Sequence, residues 1–285
     1  MSIPGSSSPL FFQTAAGGGA AATGPGIKSA RFNQDDNAYL SRTPSSSGNR
    51  RTWTFSVWVK RSELYSNVGY QKLLAGNSGT QIEFDSVDQI RVYNEQGGTV
   101  EANGYRFRDT SGWAHIQVAY DTTQSTATER VKIYLNGVDI TKKTGSFPSQ
   151  NLETEINRNT IHYIGRDGNG SHYFSGYMTA MYLLDGAAVG PTTFGEYDSN
   201  GVWQLKEPSG LSFGTNGFSL FDFANETGIG NDSSGNDNDW SVFNMQSGTT
   251  GTATAKLLCC ASTSPRYARP AICDLVLLYK YSRST

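Results

Sequence analysis

The stretch Thr52-Trp53-Thr54-Phe55-Ser56-Val57-Trp58-Val59-Lys60 constrains the chain more than any other. Apolar side chains fall at every second position (Trp53, Phe55, Val57 and Val59), with Thr52, Thr54, Ser56 and Lys60 between them. Successive side chains of a strand point to opposite faces, so this spacing predicts a β-strand with one apolar face. Such a strand turns one face to a core and the other mostly to water. Trp58 breaks the polar face, and the rule leaves it two places: under a covering loop, or exposed for a ligand.

Further period-2 segments follow at short intervals. Gln81–Phe84 and Gln89–Tyr93 flank Asp85-Ser86-Val87-Asp88 and read as a hairpin. Trp113–Tyr120 and Arg130–Leu135 come next. Asn136-Gly137 then joins Val131–Leu135 to Val138–Ile140, a strong hairpin signal because both turn residues tolerate positive φ. Ile161–Gly165, Tyr173–Leu184, Phe218–Phe223 and Asp239–Phe243 complete the set, and no window of helical length carries a 3.6-residue apolar period. Short strands separated by turn clusters predict an all-β fold, an antiparallel β-sandwich or jelly roll. A hydrophobic content of 36% suits this fold, because a sandwich needs only alternate residues of each strand to be apolar.

The chain divides into three parts. Residues 1–30 are rich in Gly, Ala, Ser and Pro and predict an extended N-terminal arm that anchors to a neighbour, since they cannot bury enough apolar area to order themselves. Residues 31–248 form the sandwich. Residues 249–285 form a tail of unknown role, with apolar runs Leu257–Cys260 and Leu275–Leu278 beside Arg266, Arg269, Lys280 and Arg283. All three cysteines (Cys259, Cys260 and Cys273) lie in this tail, so the sandwich is expected to be built without disulfides, in a reducing cytosol. A net charge of -2 gives no support to nucleic-acid binding. No run reaches the roughly 18 apolar residues of a membrane span, and the start MSIPGSSSPLFFQ has no secretory pattern.

Three stretches, in order, resemble a laminin G-like module of the concanavalin A-like lectin/glucanase superfamily. Ala30-Arg31-Phe32-Asn33 through Tyr39-Leu40, with the Trp53–Lys60 strand, is similar to the family's opening. Trp113–Val118 with Val131–Gly137 is similar to its paired strands ending in an Asn-Gly turn. Tyr173–Met178 through Leu184-Asp185-Gly186 is similar to its closing strand. A fourth stretch, Phe218–Phe223 with Asp232–Trp240, resembles the segment that opens such modules but follows the last strand here, which fits a circular permutation or, as the alternative, a second module that begins here and stops. The wording of Tyr39–Pro44, Gly48–Phe55, Phe194–Tyr197 and Gly201–Trp203 is similar to virion proteins of marine tailed phages, including cyanophages; residues 251–285 depart from the pattern. The resemblance implies a virion structural protein, assembled in the host cytoplasm as a short tail appendage or a capsid or tail decoration. It also implies other virion proteins as partners, a homo-oligomeric assembly, and attachment to host-surface glycans. The alternative is a free lectin or a glycan-cleaving protein.

No catalytic site is expected. Glucanases of the superfamily use Glu-x-Asp-x-x-Glu on one strand, and Glu83-Phe84-Asp85-Ser86-Val87-Asp88 is a near match ending in Asp. The flanking apolar residues Ile82, Phe84, Ile90 and Val92 make Asp85 and Asp88 turn residues instead. His115, His162 and His172 have no metal-ligand spacing, and the cysteines form no C-x-x-C pair, so neither metal nor cofactor is expected. Asp232–Asp239 is rich in the oxygens calcium takes, but the same residues are what tight turns use. Sugar binding needs aromatic faces beside polar groups. Trp58 and the loop residues Asp167, Asn169, His172 and Tyr173 are therefore the candidate carbohydrate contacts.

Overall fold

The computed structural model describes residues 29–221, 228–245 and 252–253. The expected arm up to residue 28, the three cysteines and nearly all of the tail lie outside these residues, and Ser29 and Ala30, assigned to the arm, belong to the first strand.

Two antiparallel sheets stack face to face. The first runs in the order β10 (Val138–Asp139), β9 (Val131–Leu135), β8 (Ala114–Asp121), β3 (Thr52–Arg61), β12 (Gly176–Asp185), β1 (Ser29–Phe32) and β17 (Thr252–Ala253). The second runs β16 (Ser241–Phe243), β2 (Tyr39–Arg42), β11 (His162–Ile164), β4 (Gln71–Gly76), β5 (Thr80–Phe84), β6 (Ile90–Asn94) and β7 (Gly98–Glu101). This is the antiparallel sandwich that the alternation predicts, in the concanavalin A-like form that the resemblance implies. Trp53, Phe55, Val57 and Val59 of β3 meet Leu40, Leu74, Ile82, Phe84, Ile90 and Val92 of the second sheet in one buried core. The Asn136-Gly137 hairpin turn has φ of 46° and 83°, as its sequence demands.

β15 (Phe218–Leu220) pairs with β12 on the same edge as β1, opposite Met181–Leu183, while β1 pairs with Gly176–Met178. A register shift between Thr179 and Tyr182, with Ala180 at φ 48°, kinks β12 between the two partners. β16 adds to the second sheet beside β2. Residues 218–243 thus place one strand in each sheet.

The outer face of the first sheet differs from expectation. Thr54 and Ser56 are on the face expected to meet water, yet both are buried, and of the two places open to Trp58 the structure shows the covered one. Segment 187–213, with the hairpin β13 (Gly195–Tyr197) and β14 (Trp203–Leu205), lies across this face. Phe194, Trp203, Leu205, Leu211 and Phe213 pack there on Trp58, Tyr182 and Leu184 as a second apolar cluster. The cap gives the strand a second apolar partner, so its polar side holds small or hydrogen-bonded groups rather than charges.

Candidate functional site

The outer face of the second sheet is open where β4, β5 and β6 run side by side. Ile82, Phe84, Ile90 and Val92 point inward, so period-2 geometry sends Gln81, Glu83, Arg91 and Tyr93 outward. Lys72 of β4 lies opposite Glu83. These residues floor a groove of about 430 Å³, walled by Tyr70, Ser78, Glu95 and the loop residues Asp167, Asn169 and His172.

The floor is a buried charge triad. Glu83 is fully buried, and its two carboxylate oxygens accept from Lys72 Nζ and from Arg91 Nε. Burial pushes the Lys72 ammonium down to about 8, with Asp167 opposing the shift and Arg91 adding to it. Arg91 lies over the Tyr70 ring at 4.9 Å and near the Tyr93 ring at 5.8 Å, so its guanidinium sits beside two aromatic rings. The other side of the Tyr70 environment is closed by His172, edge-on at 5.5 Å.

The loop residues take distinct roles. Asp167 is buried, and its Oδ1 accepts the backbone N–H groups of Asn169 and Ser171 at 3.0 Å each. Its Oδ2 accepts from His172 Nδ1 at 2.6 Å. Burial raises the Asp167 carboxyl, but the His172 and Ser171 hydrogen bonds outweigh it and leave the group below its usual range. Asp167 therefore shapes the loop, and Asn169 and His172 are the exposed members at the groove wall. Tyr173 is not on the groove: its hydroxyl accepts from Arg166, whose guanidinium lies 3.9 Å over Tyr39 and 4.3 Å over Tyr163.

Trp58 is the clear correction. It is 2% exposed and stacks on His115 at 5.2 Å, while the Trp203 ring lies near-parallel to His115 at 5.9 Å. Trp203 Nε1 donates to His115 Nδ1 at 3.0 Å, so Nε2 carries the proton and donates to Ser56 Oγ at 2.8 Å. No sugar reaches Trp58 beneath this stack.

The glucanase-like motif is dismantled in space. Asp85 accepts the N–H groups of Val87 and Gln89 and organises the turn. Asp88 pairs with buried Arg61 and with Arg108. Asp232, in the oxygen-rich run, accepts the N–H groups of Ser219, Ser234 and Asn238, so its acceptors serve the turn. Among the described residues, no three His, Cys, Asp or Glu side chains converge as metal ligands would.

Sequence reasoning missed Tyr70, Lys72, Gln81, Arg91 and Tyr93. The available signal was the alternation Ile90-Arg91-Val92-Tyr93, which places a cation and an aromatic ring on one outward face.

Two stacked antiparallel sheets with a polar, aromatic-edged groove on one outer face define a lectin-like β-sandwich. A family model described as "Concanavalin A-like lectin/glucanases superfamily", of the laminin G-like kind, matches residues 32–189, more than half of the chain. The chain belongs to this family. No curated protein matches it. Among solved structures it is similar to a candidate carbohydrate binding protein from Bacteroides ovatus, at 16% identity and a TM-score of 0.44, covering 71% of this chain and 56% of that one. It is also similar to a heptameric SAP-like pentraxin from Limulus polyphemus, at 14% identity and a TM-score of 0.40, covering 57% and 77%. A third is the LG4-5 region of the mouse laminin alpha1 chain, at 12% identity and a TM-score of 0.38, covering 64% and 47%. The chain thus spans little more than half of the first of these proteins.

Proposed function

We propose that the protein is a non-catalytic component of a tailed-phage particle whose sandwich binds host-surface glycan in the groove over β4, β5 and β6. The groove carries this reading: aromatic side chains flank fixed hydrogen-bonding groups on an otherwise polar sheet face, the arrangement sugars require. Binding is favoured over cleavage because both oxygens of Glu83 are engaged by cations, while hydrolysis needs two free carboxyl groups flanking the bond. The particle context rests on the similarity of Tyr39–Phe55 and Phe194–Trp203 to phage virion proteins. On a particle, many copies multiply weak single-site contacts into firm attachment.

A glycan array probed with the isolated protein tests the site. Selective binding is expected, weakened about tenfold by Tyr93→Ala, the scale of one lost aromatic contact. Absence of selective binding, or binding unchanged by the substitution, would refute the groove. Mass spectrometry of purified particles tests the context: absence of the chain's peptides would leave a free glycan-binding protein.

A further inference from the structure

We propose that the groove selects glycans carrying an acidic group, a sugar carboxylate or a sulfate ester, which docks on the outer edge of the Arg91 guanidinium. This deepens the glycan-binding reading and rests on it.

The argument begins with how Arg91 is held. Its Nε donates to Glu83 Oε1, so the inner edge of the planar fork is engaged. The Tyr70 and Tyr93 rings lie 4.9 and 5.8 Å from it. The side chain is 23% exposed, leaving the terminal nitrogens on the open side of the groove. A guanidinium fixed in this way presents parallel N–H donors with little rotamer entropy left to lose, the geometry that binds carboxylate or sulfate oxygens in pairs.

The charges are unevenly placed. Glu83 is shared between Lys72 and Arg91, and Asp167 acts through space on Lys72. Asp167 spends its oxygens on Asn169, Ser171 and His172, so among the described residues the ion-pair partner of Arg91 is Glu83 alone. Glu95 lies at the exposed rim. An anion on Arg91 would complete a row of alternating charge from Lys72 through Glu83 and Arg91 to the ligand.

Isothermal titration with three probes tests this: trigalacturonate, its neutral methyl ester, and a galactose oligosaccharide sulfate, in about 0.15 M salt to suppress unspecific attraction. At least one acidic probe is expected to bind about tenfold more tightly than the ester, the value of one charge-assisted contact. The acidic probe that gains distinguishes carboxylate from sulfate. Arg91→Lys keeps the charge beside Glu83 but lacks the outer edge, so it is expected to reduce the ratio of acid to ester affinity to about twofold or less. Equal affinity for ester and both acids in the native protein would overturn the inference and leave the glycan-binding reading standing. So would a preference that survives Arg91→Lys. Failure of all three probes, with a glycan array also blank, would overturn both.

Discussion

Lowering the pH should destabilise the sandwich through His115, and the size of the effect can be worked out. His115 contacts both Trp58 and Trp203 and is fully buried. Burial pushes its imidazole down from 6.5 to about 3. The hydrogen bonds agree, since protonating Nδ1 would set its new N–H against the N–H of Trp203. The folded value lies below the unfolded one, so between about pH 6.5 and 3 the unfolded chain binds the extra proton. Stability is therefore present above pH 6.5 and is lost as pH falls. Going from pH 7 to 4.5, this single group should remove about 2.5 kcal/mol. The figure is set by the unfolded value, because at pH 4.5 the folded ring is still neutral. His162, pushed down to about 4 chiefly by burial, adds a similar loss, so the effect must be isolated by difference. Urea unfolding of the native protein and of His115→Gln, at both pH values, does this. The native midpoint should fall by roughly 1 M more than that of the variant, for an m-value of about 2.5 kcal/mol/M. Parallel losses in the two proteins would mean that His115 takes its proton while folded, and the account of the stack would be wrong.

Two further substitutions probe the parts that hold the site in place. Trp203→Ala should cost about 3–5 kcal/mol, by emptying the cap and removing a buried ring, and should red-shift the tryptophan emission as Trp58 is uncovered. An unshifted spectrum would show that Trp58 does not depend on the cap for its burial. Asp88→Ala leaves Arg61 with an uncompensated buried charge and should cost about 3–5 kcal/mol by urea denaturation, whereas a loss under 1 kcal/mol would mean that water reaches Arg61.

The core was legible because its signal is local. Trp53 to Val59 declares a two-faced strand within eight residues, and Asn136-Gly137 declares its turn within two. The cap was not legible for the opposite reason: Trp58 and Trp203 lie far apart in sequence, and nothing local pairs them. The signal was only half visible, as one apolar residue on a polar face. The same distance hid the groove. Glu83 was conspicuous as part of a motif, but its partners lie on β4 and β6, and a register shift between Lys72 and Leu74 breaks the alternation that would have marked Lys72 as outward. Asp167 and His172 were found because they share one loop. Tyr173, next in sequence to His172, points elsewhere because it belongs to the Arg166–Tyr39 stack.

The two outer faces show why the groove, rather than the tryptophan stack, is the place to look for a ligand. Both combine aromatic rings with ionisable groups. On the first sheet the ionisable group is held neutral, and both its ring nitrogens find partners within the cap. Burial there supplies hydrophobic stabilisation with no charge to desolvate. On the second sheet two cations meet on fully buried Glu83 at the floor of an open groove. Buried ion pairs recover their desolvation cost poorly, and apolar residues of similar volume would commonly serve stability as well or better. A sandwich that needed only to stand would have no use for Lys72, Glu83 and Arg91 in that position. Their arrangement makes sense if the outer edge of Arg91 is completed by something that arrives from outside.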